Sequence, residues 1–324
     1  MHGWIVIDKP VGPGSTQIVS AVKRALRDGG YEKMKVGHGG TLDPLASGVL
    51  PVAIGEATKL AGRMLGSDKV YEFTIRFGEE TDTLDAEGQV VALSDARPTP
   101  AKVAAVLPCF VGEIEQVPPA YSALKVAGKR AYALARAGNA VAPESRRVRV
   151  HILQMKGEDP HPDLLPQAGE GASPRPAKPS PVCGRGVGEG LSSITLTARV
   201  SKGTYIRSLA RDIARALETV GHVTMLRRTK AGPFALDSAI SLDKLAALAK
   251  ASSLEQALLP LTAGLDDIPA LPVTPDQARA LREGRRLAGI AAKPGLHLAT
   301  DRSVPVALVE LSEGCLRVVR GFNL

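Results

Sequence analysis

Two hydrophobic periods run along this chain, and the changes between them mark its elements. Trp4-Ile5-Val6-Ile7 is an unbroken apolar run of strand length, closed by Asp8-Lys9-Pro10. Ser15 or Thr16 then reads as the cap of a helix whose apolar stripe is Ile18, Val22, Ala25 and Leu26. A glycine-rich segment leads into a buried strand over Val49 to Ile54 and a helix from Glu56 to Leu65. Tyr71 to Phe77 alternates strictly, which puts Tyr71 on one face with Phe73, Ile75 and Phe77. An acidic, threonine-rich loop follows from Glu79 to Gly88, and Pro100 to Phe110 has helical spacing. Pro118-Pro119 makes Val117 to Ser122 an extended connector. Arg147 to Leu153 and Ile194 to Val200 read as strands. Between them, Lys156 to Ser192 spans 37 residues with seven prolines and seven glycines. Such a segment has too few apolar side chains to order itself and is expected to be a mobile, disordered insertion over 156–192.

Thr204 is placed to cap the next helix, which turns Ile206, Leu209, Ala210, Ile213, Ala214 and Leu217 inward. Tyr205 and Arg207 then fall in its first turn, off the apolar stripe. Val223 to Thr229 is a strand, Leu242 to Ala251 a helix, and Leu259 to Pro275 a proline-containing linker. The last fifty residues or so form a small unit with a helix from Asp276 to Glu283 and short strands at His297, Val304 and Leu316. No repeat is visible, and strands and helices mix without strict β-α-β alternation. That favours an α+β fold.

Composition narrows the function. At 324 residues the chain has room for one large domain and a smaller one. Its net charge of +8 favours a polyanionic partner. Aromatic residues make up only 3%, which argues against a non-specific single-strand binder that stacks base after base. Cys109, Cys183 and Cys315 are odd in number and far apart, so neither a disulfide framework nor a zinc site follows. No apolar run approaches the about 18 residues of a membrane span, and Met1-His2-Gly3-Trp4 lacks the layout of a signal peptide. A soluble cytoplasmic protein is expected.

The candidate chemistry is concentrated in Val36 to Leu50. Four glycines, His38 and a single carboxylate, Asp43, lie there among apolar neighbours. Glycines allow a sharp turn and a close approach by a ligand. Asp43-Pro44 fits a helix N-cap equally well. Gly128-Lys129 lacks the upstream glycine of a P-loop, and Gly37-His38-Gly39-Gly40 is neither a dinucleotide fingerprint nor accompanied by a nucleophile elbow. The six histidines show no metal-ligand spacing, so no cofactor or metal is implied. What remains is Asp43, the tyrosines Tyr71 and Tyr205, and Arg207, which could keep a nearby carboxylate ionised. An ionised carboxylate in a poorly hydrated pocket is a competent nucleophile. Core packing for Tyr71 and Tyr205, and a solvated surface for Arg207, stay open at this level.

Taken in order, a set of motifs closely resembles the bacterial tRNA pseudouridine synthases of the TruB type. They are Ile7-Asp8-Lys9-Pro10, Gly37 to Pro51, Gly55-Glu56-Ala57-Thr58-Lys59, Tyr71, Thr81 to Gly88, Tyr121 to Lys125, Ser201 to Arg207 and Leu226-Arg227-Arg228. The likeness covers residues 3–245 strongly and the C-terminal unit more loosely. It implies a catalytic domain over 1–250 with a mixed, mainly antiparallel sheet, and a small PUA-like, β-rich RNA-binding domain over 262–324. It implies isomerisation of the T-loop uridine conventionally numbered 55, without cofactor, after that base has been flipped out. Asp43 would be the nucleophile, paired with Arg207, and Tyr71 would stack on the uracil and help move a proton. Tyr205 and Leu226 would line the pocket, His38 would contact the RNA, and Lys9 would support the loop. Asp85 matches the family's acidic loop. The partner would be tRNA, through its T stem-loop and acceptor region, met by a monomer with no membrane or DNA role.

Three basic clusters are candidates for phosphate contacts: Arg146-Arg147-Arg149, Arg227-Arg228-Lys230 and Arg279-Arg282-Arg285-Arg286. The first also reads as a solvated face. Competing readings are a guide-RNA-dependent synthase, a non-catalytic RNA binder, and a glycosidase built on Asp43 and Asp85.

Overall fold

A computed structural model describes residues 1–122, 125–126, 129–130, 143–157 and 190–324. The chain opens with β1 (Gly3–Lys9), α1 (Ser15–Asp28), β2 (Val36–His38) and β3 (Ala46–Ile54). A 3-10 turn (Gly55–Leu60) runs on into α2 (Ala61–Gly66), then come β4 (Lys69–Phe77), β5 (Glu79–Thr81) and β6 (Val90–Leu93). Next are α3 (Pro100–Val106), β7 (Gly112–Gln116), the short pair β8 (Lys125–Val126) and β9 (Lys129–Arg130), β10 (Arg146–Met155) and β11 (Ser193–Val200). They are followed by α4 (Ile206–Ala216), β12 (Gly221–Ala231), β13 (Phe234–Ala235), α5 (Leu242–Lys250), β14 (Leu259–Pro260) and β15 (Ala270–Pro272). The chain closes with α6 (Pro275–Arg282), β16 (Leu287–Ala288), β17 (Gly295–Asp301), β18 (Val304–Ser312) and β19 (Cys315–Gly321). This is an α+β fold with a mixed, mainly antiparallel sheet and a β-rich C-terminal part.

The chain forms two compact units, one of residues 1–71, 199–203 and 225–324, the other of residues 72–198 and 204–224. In the first, β1 pairs antiparallel with β3 and β14, and β3 pairs antiparallel with β2 and parallel with β12. One face of these strands packs against α1 and α5 through Ile5, Ile7, Ile18, Val22, Leu26, Leu50, Val52, Ile54 and Leu245. A fully buried aliphatic side chain of this kind contributes about 1.5–3 kcal/mol. The other face buries Trp4 with Leu60, Met64, Phe234, Leu308 and Phe322. The C-terminal strands make their own five-stranded sheet, in the order β15-β17-β18-β19-β16, packed on α6 through Ala278 and Leu281.

In the second unit β7 and β10 pair antiparallel, with Arg146 opposite Gln116 and Val150 opposite Gly112. β5 and β6 form a separate hairpin. Phe73, Ile75 and Phe77 are buried as the alternation predicts, while Tyr71 is only half-buried. The α4 stripe is buried from Ile206 to Ala214 as expected.

Several local expectations fail for identifiable reasons. Neither Ser15 nor Thr16 caps α1. The N-cap is Gly14, whose N–H is bonded by Gln17 Oε1, because the Ser15 hydroxyl is used elsewhere. The N-cap of α4 is Tyr205, not Thr204. No helix follows Asp43-Pro44, since Pro44 and Leu45 form a turn that enters β3 directly. The expected linker at Leu259–Pro275 is built into the fold. Leu259 and Pro260 pair with Trp4 and Gly3, and Leu261 and Leu265 are buried. The expected insertion lies almost wholly outside the described residues.

Candidate active site

The carboxylate of Asp43 sits half-buried on a loop that is held by its own carbonyls. Three side chains from three distant segments do the holding. Arg228, on β12, is 1% exposed and donates through Nη2 to Gly40 O (3.1 Å), Nη1 to Thr41 O (3.3 Å) and Nε to Val49 O (2.8 Å). Ser15, at the start of α1, accepts from Leu42 N (2.7 Å) and donates to Leu42 O (3.0 Å). Lys9, at the end of β1, donates to Pro44 O (3.1 Å), Ala46 O and Pro10 O. Backbone bonds from Gly39 N to Pro51 O and Ala46 N to Asp43 O close the turn. A carboxylate placed in this way has little positional freedom, because its neighbours on both sides are fixed by buried donors.

One glycine makes the geometry possible. Gly48 has φ +100°, and a Cβ there would lie 2.1 Å from Arg228 O. Only a residue without a side chain lets β3 and β12 approach so closely.

Charge is concentrated around the loop. Lys9 and Arg228 are both buried, and burial is the main reason that the Lys9 pKa falls to about 8. The Asp43 charge opposes that fall and the Arg228 charge adds to it. Asp43 therefore has a basic neighbour in space that it lacks in sequence. His38 ends β2, and its Nδ1 accepts from Gly40 N at 3.4 Å. Burial first, and Arg228 second, hold its pKa below the ordinary imidazole value, which keeps the ring neutral at pH 7.

Leu226 stands opposite Ala46 in the parallel β12–β3 pairing, and Leu226 and Tyr71 both pack on the apolar cluster that contains Leu42 and Ala46. In the first unit Lys9 and Leu226 lie at the start of β3 beside the Asp43 loop, His38 stands opposite Val52 toward the other end of that strand, and Tyr71 packs on the apolar cluster that contains Leu42 and Ala46. Arg228 belongs with them, although the sequence reading placed it in a phosphate-binding cluster. It cannot serve on that surface, because its guanidinium is spent on backbone carbonyls inside. Its neighbour Arg227 pairs with Asp8 at 2.8 Å. A signal was available: residues two apart share a face of a strand, so the pocket wall expected of Leu226 extends to Arg228.

The second unit holds Tyr205 and Arg207. Arg207, buried in the first turn of α4, pairs with Asp85 at 3.0 Å. It also donates to Thr83 O (2.8 Å) and Tyr121 O (3.0 Å). Asp85 in turn accepts from Thr83 Oγ1 (2.6 Å) and Glu87 N (3.1 Å). The acidic loop is therefore the seat of Arg207. The Asp85 carboxylate is thereby engaged by Arg207 and by its own loop. The backbone of Tyr205 is fixed by a residue the sequence did not flag, Gln116, which accepts from Tyr205 N (2.8 Å) and donates to Tyr205 O (3.1 Å). The guanidinium of Arg146 lies over the Tyr205 ring, 4.7 Å from its centroid.

The candidate basic clusters divide as well. Arg147 and Arg149 lie on the exposed face of β10 beside Glu115 and Glu113, whereas Arg146 turns inward with Val148 and Val150. Arg279 pairs with Asp276 and Arg285 with Glu283, all exposed. Among the described residues, no group of three or more His, Cys, Asp or Glu side chains is placed to hold a metal ion. No helix among them is long and apolar enough to cross a membrane.

Residues 27–165 match the TruB family pseudouridylate synthase (N terminal domain), and residues 207–266 match the tRNA pseudouridylate synthase B C-terminal domain. A protein of Novosphingobium aromaticivorans named tRNA pseudouridine synthase B is 60% identical over 324 residues, spanning all of this chain and 98% of its own length. The chain belongs to the TruB family of pseudouridylate synthases. A second TruB relative, tRNA pseudouridine synthase B of Zymomonas mobilis, is 56% identical and aligns over all of this chain and 96% of its own. The TruB fold extends to a chain in the structure of an H/ACA RNP bound to a substrate RNA containing 2'-deoxyuridine. That chain is 23% identical, with a TM-score of 0.67 over 99% of this chain and 85% of its own. All eight motifs that carried the TruB resemblance fall within residues 7–228, and the loop they centre on is the one held by Lys9, Ser15 and Arg228.

Proposed function

We propose that this chain isomerises uridine to pseudouridine in tRNA, at T-loop position 55, as a cytoplasmic monomer that needs no cofactor. The observation that carries this reading is the Asp43 loop, in which one half-buried carboxylate is positioned by three buried donors. Pure RNA binding has no use for an acid fixed in this manner beside a polyanion. In this reading Asp43 is the nucleophile, and Tyr71 and Arg207 are the other catalytic side chains. His38, Tyr205, Leu226 and Lys9 serve substrate binding. Residues 1–250 form the catalytic domain and residues 262–324 a PUA-like domain that meets the acceptor side of the tRNA.

The chemistry balances without an outside reagent. The bond from N1 to the ribose breaks, a bond from C5 to the ribose forms, C5 gives up a proton and N1 gains one. The carboxylate acts on the nucleotide and is regenerated, whether it adds to the uracil ring or assists elimination at the sugar. Extruding the uridine from the folded loop costs a few kcal/mol, which phosphate contacts repay. Stacking on Tyr71 then holds the base while it rotates.

The test is Asp43→Asn, assayed on an unmodified T stem-loop transcript. Pseudouridine formation at the loop uridine is expected to vanish while RNA binding stays within about two-fold of wild type. An Asn variant that still converts the uridine removes Asp43 from the mechanism.

A further inference from the structure

Two arginines flank Tyr205 in the second unit, and their hydrogen bonding differs. Arg207 is held by Asp85 and two carbonyls. Arg146 keeps two buried guanidinium atoms, Nε and Nη2, without any hydrogen-bond partner. Burying a charged donor without an acceptor is among the costlier things a fold does. The site around it is nevertheless well constructed. Arg146 stands opposite Gln116 in the β10–β7 ladder, Gln116 locks the backbone of Tyr205, and the Tyr205 ring lies beneath the guanidinium. Next to Tyr121, whose carbonyl holds Arg207, the buried Ser122 hydroxyl also lacks a partner.

The two unbonded atoms of Arg146 are not an arbitrary pair. Nε–H and one N–H of Nη2 lie on the same edge of the planar guanidinium and point the same way. That edge matches two oxygens of one phosphate or carboxylate. Stacking on Tyr205 fixes the plane, and so fixes the direction of the fork. The exposed neighbours Arg147 and Arg149 lie beside Glu115 and Glu113, so charge attraction alone does not single out Arg146.

We propose that Arg146 is a positioning residue that takes one phosphodiester group of the RNA substrate, next to the target nucleotide, in a side-on fork. This rests on the pseudouridine synthase reading above. The strand places the arginine, the tyrosine orients it, and the RNA supplies the oxygens that the protein omits.

The experiment uses the full chain and a T stem-loop RNA carrying a single neutral methylphosphonate at each linkage around the target uridine in turn. Dissociation constants come from fluorescence anisotropy and kcat/KM from product formation. Losing a charge-assisted pair of this kind is expected to weaken binding and kcat/KM by about 10- to 100-fold in Arg146→Met. Arg146→Lys restores only part of that, since an ammonium cannot form the fork. The melting temperature of Arg146→Met is expected to be unchanged or higher, because an unpaired buried charge has been removed. One linkage should cost the wild type a similar factor when neutralised, yet cost Arg146→Met less than about two-fold.

Wild-type affinity in Arg146→Met overturns the proposal. Equal sensitivity of wild type and variant at every linkage overturns it too. A lowered melting temperature that accounts for the activity loss, with both restored by Lys, shows a purely structural arginine and has the same result. If wild-type protein makes no product from the RNA, the synthase reading fails, and the anisotropy series still decides the role of Arg146.

Discussion

Arg228 offers the sharpest test of how the Asp43 loop is held. Arg228→Met keeps the length and the buried apolar stem of the side chain and removes its five N–H groups. Two acceptors that it serves, Gly40 O and Val49 O, are buried, while Thr41 O is partly open to water. Each orphaned buried carbonyl costs about 1–3 kcal/mol, which gives about 2–6 kcal/mol for the pair. Against this, the variant no longer buries a guanidinium, and it relieves repulsion on Lys9 and Lys69, whose pKa values Arg228 helps to lower. A net loss of about 2–4 kcal/mol is expected once that desolvation is subtracted.

The chain's single tryptophan, Trp4, is fully buried in the same unit, so its fluorescence in a urea titration reads the loss directly. Activity should fall further than stability does. A displacement of the carboxylate by about 1 Å is enough for roughly 100-fold in rate. Arg228→Lys should recover part of the stability and little of the rate, because one ammonium cannot reach carbonyls on both sides of the loop. Wild-type stability together with a wild-type rate in Arg228→Met would refute the reasoning. So would a rate that drops only in proportion to the unfolded fraction.

Three further outcomes follow from the same geometry. Asp85→Asn removes one charge of the buried Arg207–Asp85 pair and should cost about 3–5 kcal/mol, seen in urea unfolding followed by circular dichroism; an unchanged midpoint would show that this ion pair adds nothing to stability. Gly48→Ala puts a Cβ against the Arg228 carbonyl at a positive φ and should cost about 4 kcal/mol or more, with a sharply lowered melting temperature; a variant of normal stability would mean that β3 and β12 are free to separate there. Lys69, buried against the carbonyls of Met64, Leu65 and Ser67, has its pKa lowered to about 8, mainly by burial. The unfolded chain then binds more protons than the folded one between about pH 8 and 10.5, so stability attributable to Lys69 rises across that window by up to about 3 kcal/mol. Below pH 8 both states are protonated and the full burial cost remains. The urea stability of wild type should gain on that of Lys69→Met by this amount between pH 7.5 and 10.5, and a constant difference would place the lysine in water.

Most of the elements were legible because they rest on local periodicity. The alternation from Tyr71 to Phe77 and the stripe from Ile206 to Leu217 state which side faces inward before any partner is known. Caps were less legible, because a serine beside a helix start can bond the helix or something else. Ser15 took Leu42 instead, from 27 residues away in sequence. The proline-rich stretch from Leu259 looked like a linker for a similar reason. Its two-residue strand has no period of its own and exists only because the edge of β1 is there to pair with.

The site divides along the same line. By itself the sequence nominated the chemical groups: Asp43, an acid with no basic neighbour in sequence, and Tyr71, Tyr205, Arg207, His38, Lys9 and Leu226, in motifs whose order is specific to a family. It also determined the basic balance that suits a nucleic acid. Only the tertiary structure decided what each charge does. Arg227 and Arg228 are adjacent in sequence, yet one pairs with Asp8 and the other is sealed inside holding the loop. Arg146 and Arg147 separate in the same way. A strand sends successive side chains to opposite faces, and whether a face is core or solvent depends on what packs there. The charge of an arginine is written in the chain, but its role is set by the acceptors that folding places within about 3 Å of it.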